Sequence, residues 1–256
     1  MPPEFLCSSN ISPAVCEKAT DFHAQIAERI RAVCGLDNTL SRALDIGCGT
    51  GLSTVALTPL VHEVIGVDIS LDILTNAKQN PRVKYFEAPA EKLRFADDDF
   101  KLATAGVVFH WFIRQEVLKE SARVPRRNGW LVIDSDGGFG RMKENPEYED
   151  WNLKHYIVRS PTPPRNTTPL TEDEADRFGF PLVSRERFHH DETFSPDNLV
   201  RFLVTQSNVI AEIEQGTNYI DDVAAWLTDQ VKPLFPDPKA TFGFGGSVCF
   251  LRNDAA

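Results

Sequence analysis

The chain has 256 residues, of which 27 are basic and 37 acidic, and its formal net charge is −10. A surface this negative repels phosphate backbones, which argues against a nucleic-acid partner. No uninterrupted apolar run reaches the length of about 18 residues that a membrane span requires, so we expect none. Five cysteines without CxxC spacing indicate reduced thiols and a cytoplasmic location.

Hydrophobic periodicity predicts helices before residue 40 and then an alternation of strands and helices. Ser12-Pro13 is typical of a helix start, and Ile26, Ile30 and Val33 would share one helical face. Short apolar runs then predict five strands, at 43–46, 64–67, 83–86, 102–109 and 130–133. Strands that alternate with helices at this spacing predict a mostly parallel α/β sheet covered on both faces.

The alternation ends after Asp134. Residues 137–180 are rich in glycine, proline and aromatic side chains, and are too long for a plain loop. We interpret them as a helical cap inserted after the fifth strand. Further helices later in the chain complete this cap. The single predicted domain, residues 1–256, then divides into N-terminal helices at 1–40, a core at 41–136, the cap at 137–180 and 195–235, and closing strands at 182–190 and 240–252.

A glycine-rich segment, Asp45-Ile46-Gly47-Cys48-Gly49-Thr50-Gly51, joins the first of these strands to a helix. Its glycines allow a tight turn and close approach of the backbone to a ligand. Asp68 follows at the end of the second strand, where a carboxylate can accept hydrogen bonds from ribose hydroxyls. We expect the loop amides and Asp68 to cradle a nucleoside; a turn that binds nothing is the alternative.

The glycine spacing also distinguishes between nucleotides. A dinucleotide fingerprint would need a third glycine at Leu52, which disfavours a nicotinamide-dependent dehydrogenase. An acidic residue followed by GxGxG resembles instead the first motif of class I S-adenosylmethionine-dependent methyltransferases. The resemblance implies S-adenosylmethionine as cofactor and S-adenosylhomocysteine as product. It also implies a Rossmann-like, doubly wound sheet of seven strands with the last antiparallel, and a role for Asp45 near the ammonium group of the cofactor, directly or through water.

The segment Ala88-Pro89-Ala90-Glu91-Lys92-Leu93 resembles the part of these enzymes that flanks the adenine, although Pro89 replaces their usual Asp. Glu91 or backbone carbonyls would then hold the adenine amino group; alternatively, Glu91 only stabilises a helix start. The cofactor-binding residues that we expect are Asp45, Gly47, Cys48, Gly49, Thr50, Gly51, Asp68, Ile69, Ala90, Glu91 and Val107.

Residues 106–112, after the fourth strand, restrict the chemistry. They contain neither the Asn/Asp-Pro-Pro-aromatic motif of nucleobase- and glutamine-modifying enzymes nor the metal-binding Asp of catechol-type enzymes. No carboxylates have obvious ligand spacing, and His189-His190 would face opposite sides of a strand, so we expect no metal. His110-Trp111-Phe112 resembles the trans-aconitate and juvenile-hormone-acid methyltransferases of the type 11 group, a likeness over about residues 40–252.

This resemblance implies methyl transfer to a small molecule, with a carboxylate or hydroxyl oxygen as the acceptor. We expect His110 and Trp111 at the catalytic position: Trp111 would wall the site, and His110 is either a general base for a hydroxyl or only part of the wall. An arginine or lysine in the cavity would favour an acid. The alternatives are a cyclase-type enzyme that retains the cofactor site and a non-catalytic binding protein. The sequence predicts neither the substrate nor the oligomeric state.

Overall fold

The computed structural model describes residues 20–36 and 40–254. The predicted helix start at Ser12-Pro13 lies outside them. The strands of the described part are β1 (Leu40–Ile46), β2 (Val61–Asp68), β3 (Val83–Glu87), β4 (Phe100–Gly106), β5 (Pro125–Met142), β6 (Leu182–Phe194) and β7 (Ala240–Arg252). Its helices are α1 (Thr20–Cys34), α2 (Leu52–Ala56), α3 (Leu71–Thr75), α4 (Arg114–Arg123), α5 (Glu147–Trp151), α6 (Ile157–Arg159), α7 (Glu172–Asp176), α8 (Pro196–Val204), α9 (Ser207–Glu214) and α10 (Ile220–Val231).

The strands form one seven-stranded sheet in the order β3-β2-β1-β4-β5-β7-β6. Neighbouring strands from β3 to β5 are parallel, and β7 is antiparallel to both β5 and β6. The Rossmann-like fold predicted from the sequence is therefore confirmed, including its antiparallel last strand. Because the chain crosses from β3 to the far side of β1 before it forms β4, the carboxyl ends of β1 and β4 border a crevice, where α/β sheets bind their ligands.

Both faces of the sheet are apolar. Consecutive residues of its strands are apolar, and consecutive side chains of a strand point in opposite directions. In β1, Ala43 packs in a buried cluster with Ile26 and Ile30 of α1, which confirms the predicted face of that helix. The next residue, Leu44, packs on the opposite face in a cluster with Leu118 of α4. Helices thus cover the sheet on both sides and leave the ends of its strands open for a site.

Several predicted strand boundaries were wrong: β1, β2, β4 and β5 begin earlier than predicted, and three strands end elsewhere. The fifth strand continues to Met142 and does not end at Ile133, because β7 pairs along β5 as far as Met142 and supplies the backbone hydrogen bonds that a loop would lack. For the same reason β6 extends to Phe194. The fourth strand ends at Gly106 and not at Phe109, because Val107 takes a φ of 54° and turns the chain.

A third buried cluster forms the cap. It joins the extended ends of β5, β6 and β7 to helices α5, α8 and α10. Leu199 and Leu203 of α8 are fully buried there. Aromatic side chains pack within it, and the Trp151 ring contacts those of both Tyr156 and Trp226. None of the described helices is long and apolar enough to cross a membrane.

Candidate active site

A cavity of about 590 Å³ lies between the carboxyl ends of the parallel strands and the cap. We call one side the core wall; it consists of residues from 47–53, 68–73, 88–91 and 106–112. We call the other side the cap wall; it consists of residues from 136–139, 157–165 and 202–208, with Phe244. Phe22 and His23 of α1 also line the cavity.

Asp68, at the end of β2, lines the core wall as predicted. Its Oδ2 accepts a hydrogen bond from the amide of Gly49 at 2.9 Å, and its Oδ1 one from the amide of Ser70 at 3.0 Å. Burial raises the pKa of this carboxyl, and these amides oppose that shift. A carboxylate has about four acceptor positions, so each oxygen can also accept a ribose hydroxyl.

The glycine loop lies open to the cavity, because Gly47, Cys48, Gly49 and Thr50 all line it. Its amides, however, are used within the protein: those of Gly47 and Cys48 donate to the Val67 carbonyl, and that of Gly51 donates to the Cys48 carbonyl. The expected cradle of loop amides is therefore wrong for these positions. A pyrophosphate would need such amides, whereas a ligand without phosphate does not. The loop thus fits S-adenosylmethionine better than a dinucleotide.

The three loop glycines all have positive φ: 69° at Gly47, 51° at Gly49 and 78° at Gly51. Gly51 does not line the cavity; it begins α2 from a left-handed conformation. A Cβ at Gly51 would overlap the hydroxyl of Tyr85, which donates to the Lys78 carbonyl at 2.7 Å. By contrast, apart from Gly49 and its two chain neighbours, no atom in the described part of the chain lies within 4 Å of a Cβ built at Gly49. The turn is therefore packed from behind by Tyr85 and left open toward the ligand.

Asp45 lies behind the core wall, with 1% of its surface exposed. Its Oδ2 accepts hydrogen bonds from the hydroxyls of Ser53 and Thr54, each at 2.7 Å, and its Oδ1 accepts one from Thr104 at 2.8 Å. Burial raises the pKa of this carboxyl, and the three hydroxyls oppose that shift. The geometry does not bring Asp45 to the cavity for direct contact with an ammonium group; it gives Asp45 the task of orienting Ser53, which does line the cavity.

The other predicted cofactor-binding residues, Ile69, Ala90, Glu91 and Val107, all line the core wall. Glu91 Oε1 accepts a hydrogen bond from the amide of Ile113 at 3.0 Å, which connects the segment 88–93 to the start of α4. Burial raises the pKa of the Cys48 thiol, so it stays protonated and unreactive. The expected roles of these residues toward the cofactor remain predictions.

His110 and Trp111 lie together on the core wall, with their ring centroids 4.9 Å apart. Burial and, secondarily, the positive charge of Arg165 lower the pKa of His110 to about 4. The imidazole is therefore neutral at pH 7. The guanidinium of Arg165 lies over the Trp111 ring, 5.7 Å from its centroid.

The cap wall contains residues that sequence reasoning missed. Arg165 lies between α6 and α7, in a segment without regular structure. Phe139, at the irregular end of β5, has a φ of 51° and packs edge-on against the Phe202 ring. Asp136 lines the cavity from β5 itself. The only feature of the sequence that marks this wall is the glycine-rich stretch after Asp136. It suggests a loop, whereas the structure keeps it in a strand. Among the described residues, no group of three or more His, Cys, Asp or Glu side chains has metal-binding geometry.

The strand order, the open loop after β1 and the carboxylate at the end of β2 together define an α/β domain that binds an adenosyl ligand at the carboxyl ends of its strands. Residues 44–133 match the methyltransferase domain family. An uncharacterized methyltransferase of Schizosaccharomyces pombe is 32% identical over 224 residues, which are 82% of this chain and 86% of the relative. The chain therefore belongs to the class I S-adenosylmethionine-dependent methyltransferases.

Two further comparisons agree with this family. A protein of Dictyostelium discoideum named as a methyltransferase is 34% identical over 122 residues, or 47% of this chain and 45% of the relative, so the match spans less than half of that protein. A solved structure from Anaeromyxobacter dehalogenans, described as a type II methyltransferase, has the same fold with a TM-score of 0.64 at 22% identity, over 88% of this chain and 94% of that one. These names specify no substrate.

Proposed function

We propose that the enzyme transfers the methyl group of S-adenosylmethionine to a carboxylate oxygen of a small organic acid. The observation that carries this proposal is a cation on the cap wall: the guanidinium of Arg165 beside Trp111 and His110. Within residues 20–36 and 40–254, that guanidinium has no carboxylate partner. A cation that lines a partly apolar cavity is matched best by an anionic ligand, which a planar guanidinium binds through two parallel hydrogen bonds.

The state of His110 supports an acid over an alcohol as the acceptor. A hydroxyl must lose its proton during the transfer, and an efficient general base has a pKa near the working pH. Burial lowers the pKa of His110 to about 4, which makes its imidazole a poor base at pH 7. A carboxylate is already an anion and needs no base. We infer that His110 is part of the wall that orients the acceptor beside Trp111.

Bound S-adenosylmethionine supplies a methyl carbon that an acceptor oxygen attacks while the carbon–sulfur bond breaks and its electron pair stays on sulfur. Asp68 would hold the ribose, and Ser53, oriented by Asp45, would face the amino-acid end. Arg165 would hold the acceptor carboxylate in line with the methyl group. Positioning of the reacting groups accounts for most of the reduction of the activation barrier in such a transfer. The packed rings of Phe139 and Phe202 would keep water away.

Two likenesses support the same acceptor. The His110-Trp111-Phe112 segment resembles that of the trans-aconitate and juvenile-hormone-acid methyltransferases, which are named for acids. The malonyl-[acyl-carrier protein] O-methyltransferase of Hamiltonella defensa is 26% identical over 129 residues, half of each chain, and is named for transfer to oxygen. The small-molecule class and the position of the acceptor next to Arg165 are our proposal for this chain.

The test is a set of acceptors that share a carbon skeleton and differ only in the reacting group. We would incubate the enzyme with methyl-labelled S-adenosylmethionine and with phenylacetate, 2-phenylethanol or phenethylamine, and likewise with hexanoate, 1-hexanol or hexylamine. We expect base-labile methyl esters from the acids, with one S-adenosylhomocysteine per ester. Label transfer to the alcohols or amines instead would contradict the proposal, and so would a conversion that yields no S-adenosylhomocysteine.

A further inference from the structure

The cap wall contains an anion as well as the cation. Asp136 of β5 lines the cavity with 16% of its side chain exposed, and its neighbours on the wall include the aromatic rings of Phe139 and Phe244. Burial raises the pKa of this carboxyl, while contact with His190 opposes the shift. A carboxylate in such surroundings is costly unless donors satisfy it, so its partners indicate what it is for.

His190 reaches Asp136 across a strand that lies between them. Asp136 is on β5 and His190 on β6, and β7 separates the two strands. Asp136 pairs in register with Gly246 of β7, which has no side chain on that face. A Cβ at Gly246 would overlap the backbone carbonyl of Ser135 and would lie 2.8 Å from the ring of Phe188, so this position has no room for a side chain. His190 Nε2 thereby comes within 3.2 Å of Asp136 Oδ2 and 3.4 Å of Oδ1.

The second nitrogen of His190 also faces a carboxylate, since Nδ1 lies 3.4 Å from Glu192 Oε1. A neutral imidazole has one N–H, which can serve only one of these contacts. The imidazole therefore lies between two carboxylates, with Asp136 at Nε2 and Glu192 at Nδ1. The ring is fixed from both faces, because it stacks on Phe22 of α1 at 5.7 Å and packs against Phe244 at 5.4 Å.

Asp136 keeps acceptor capacity toward the cavity. Its Oδ1 accepts a hydrogen bond from the amide of Gly137 at 3.0 Å, and its other protein partner is the His190 ring. These two donors occupy about half of the four acceptor positions of a carboxylate. The remaining positions have no partner among the described residues, and the side chain lines the cavity with 16% of its surface exposed.

A purely structural role would not require this position. β5 and β6 are already joined through β7, which pairs with β5 from Trp130 to Met142 and with β6 from Leu182 to Phe194. Arg29 of α1 also forms an ion pair with Glu186 of β6 at 2.7 Å, so α1 has its own attachment to that strand. A carboxylate that only connected these elements could lie anywhere along them, whereas Asp136 lies on the cavity wall.

We propose that Asp136 is a substrate-binding residue: its carboxylate accepts a hydrogen bond from a hydroxyl or ammonium group that the substrate carries in addition to its methylated carboxylate. His190 is a positioning residue, which holds the Asp136 carboxylate toward the cavity. The substrate class is then a hydroxy acid or an amino acid, with its carboxylate at Arg165 and its donor group at Asp136. This inference rests on the proposed function for the first of these two contacts.

Matched acids test the inference by calorimetry on the enzyme saturated with S-adenosylhomocysteine. The probes are 4-aminobutanoate, 4-hydroxybutanoate and pentanoate, and the longer set 6-aminohexanoate, 6-hydroxyhexanoate and heptanoate. The alkanoate cannot form the charge-assisted hydrogen bond to Asp136. We therefore expect the enzyme to bind the best donor-bearing acid about tenfold more tightly than the alkanoate of the same length. In Asp136→Asn this ratio should fall toward one, because a neutral amide accepts more weakly.

Variants of the two adjacent histidines separate positioning from folding. His190→Phe should lower the ratio nearly as far as Asp136→Asn, and His190→Gln, which keeps an N–H donor, should restore most of it. His189→Phe is the matched control, since His189 is exposed and alternates to the opposite face of β6. Unchanged affinity for S-adenosylhomocysteine would confirm that each variant is folded.

The inference is overturned if the wild-type enzyme binds none of these acids, if it does not distinguish the donor-bearing acids from the alkanoates, or if Asp136→Asn keeps the wild-type ratio. Methyl-ester formation from the same acids separately tests the proposed function. Acids that bind in an Asp136-dependent way but yield no ester would overturn the proposed acceptor and leave the role of Asp136. Esters formed with equal efficiency from the three acids of a set would overturn the role of Asp136 alone.

Discussion

The core wall and the cap wall of the cavity are built in different ways. The core wall comes from residues between 47 and 112, in short turns that directly follow parallel strands. The cap wall comes from segments between 136 and 244 that meet only because β5, β6 and β7 extend beyond the core. The comparison teaches that cofactor recognition depends here on local backbone geometry, whereas substrate recognition depends on side chains that distant segments bring together. Substitutions of the cofactor-binding residues on the core wall should therefore affect cofactor binding alone, and substitutions on the cap wall should affect substrate binding alone.

The largest effect should come from the core wall. Asp68→Ala removes the carboxylate that the ribose would contact and that accepts the Gly49 amide, so we expect the affinity for S-adenosylmethionine to fall about 10- to 100-fold. Asp72→Ala, in the exposed first turn of α3, is the control. Isothermal titration calorimetry measures both. Wild-type affinity in Asp68→Ala would break the distinction between the walls.

The matching change on the cap wall is Arg165→Ala. Loss of the guanidinium should raise the KM for an acid substrate about tenfold, because a charged hydrogen-bond donor is removed. The affinity for S-adenosylhomocysteine should stay unchanged, since Arg165 lies on the other wall. Steady-state kinetics and calorimetry on the same preparation check both statements, with Arg177→Ala at the exposed end of α7 as control. A large loss of cofactor affinity would show that the walls are coupled.

Asp134 lies where the two walls meet. Burial raises its pKa to about 8, with the nearby charges of Asp45 and Asp136 acting in the same direction, and its Oδ1 has no hydrogen-bond partner among the described residues. The stability that its protonated form contributes is complete below the ordinary pKa of 3.8 and is lost as the pH rises through 8. Asp134→Asn has a neutral group at this position at every pH. The unfolding free energy of the variant minus that of the wild-type enzyme should therefore rise by about 1 kcal/mol or more between pH 5 and pH 8.5.

Urea unfolding of both proteins at the two pH values measures this difference. Groups that do not interact with Asp134 titrate equally in the two proteins, so they cancel in the comparison. Parallel pH dependences of the wild-type enzyme and Asp134→Asn would contradict the assignment of a neutral buried carboxyl at this junction.

The smallest effect should come from His110. If the acceptor is a carboxylate, His110→Ala removes only part of the wall, and we expect kcat to fall less than about fivefold, compared with 100-fold or more for the loss of a general base. Because the pKa of His110 is about 4, the pH profile of kcat/KM should show no ionisation of this residue between pH 6 and pH 8. Complete loss of turnover with intact cofactor binding would favour a hydroxyl acceptor.

The same comparison explains what the sequence could predict. Asp68 and the glycines at 47, 49 and 51 follow from spacing along a strand-turn-helix unit, and the structure places Asp68, Gly47 and Gly49 at the cavity. Asp45 lies in that motif too, but its contact with Thr104 depends on the pairing of β1 with β4, which the motif does not encode. The motif therefore points to Asp45 without indicating its partners, and its role toward the cofactor stays a prediction.

The cap wall could not be predicted for a physical reason. Gly137 and Gly138 suggest a loop from composition alone, yet pairing with β7 keeps them in a strand and brings Asp136 to the cavity. Arg165 lies in a segment whose path is determined by tertiary contacts such as the hydrogen bond from the Asn166 amide to the His110 carbonyl. Such long-range contacts leave no periodic signal in the sequence.

The structure of the complex with S-adenosylhomocysteine tests the division of the cavity most directly. We predict that both ribose hydroxyls lie within hydrogen-bond distance of the Asp68 carboxylate, that the amino-acid end faces Ser53, and that the sulfur points toward Arg165 and Trp111. A ligand whose ribose lies away from Asp68, or whose adenosyl group contacts the cap wall, would contradict the account.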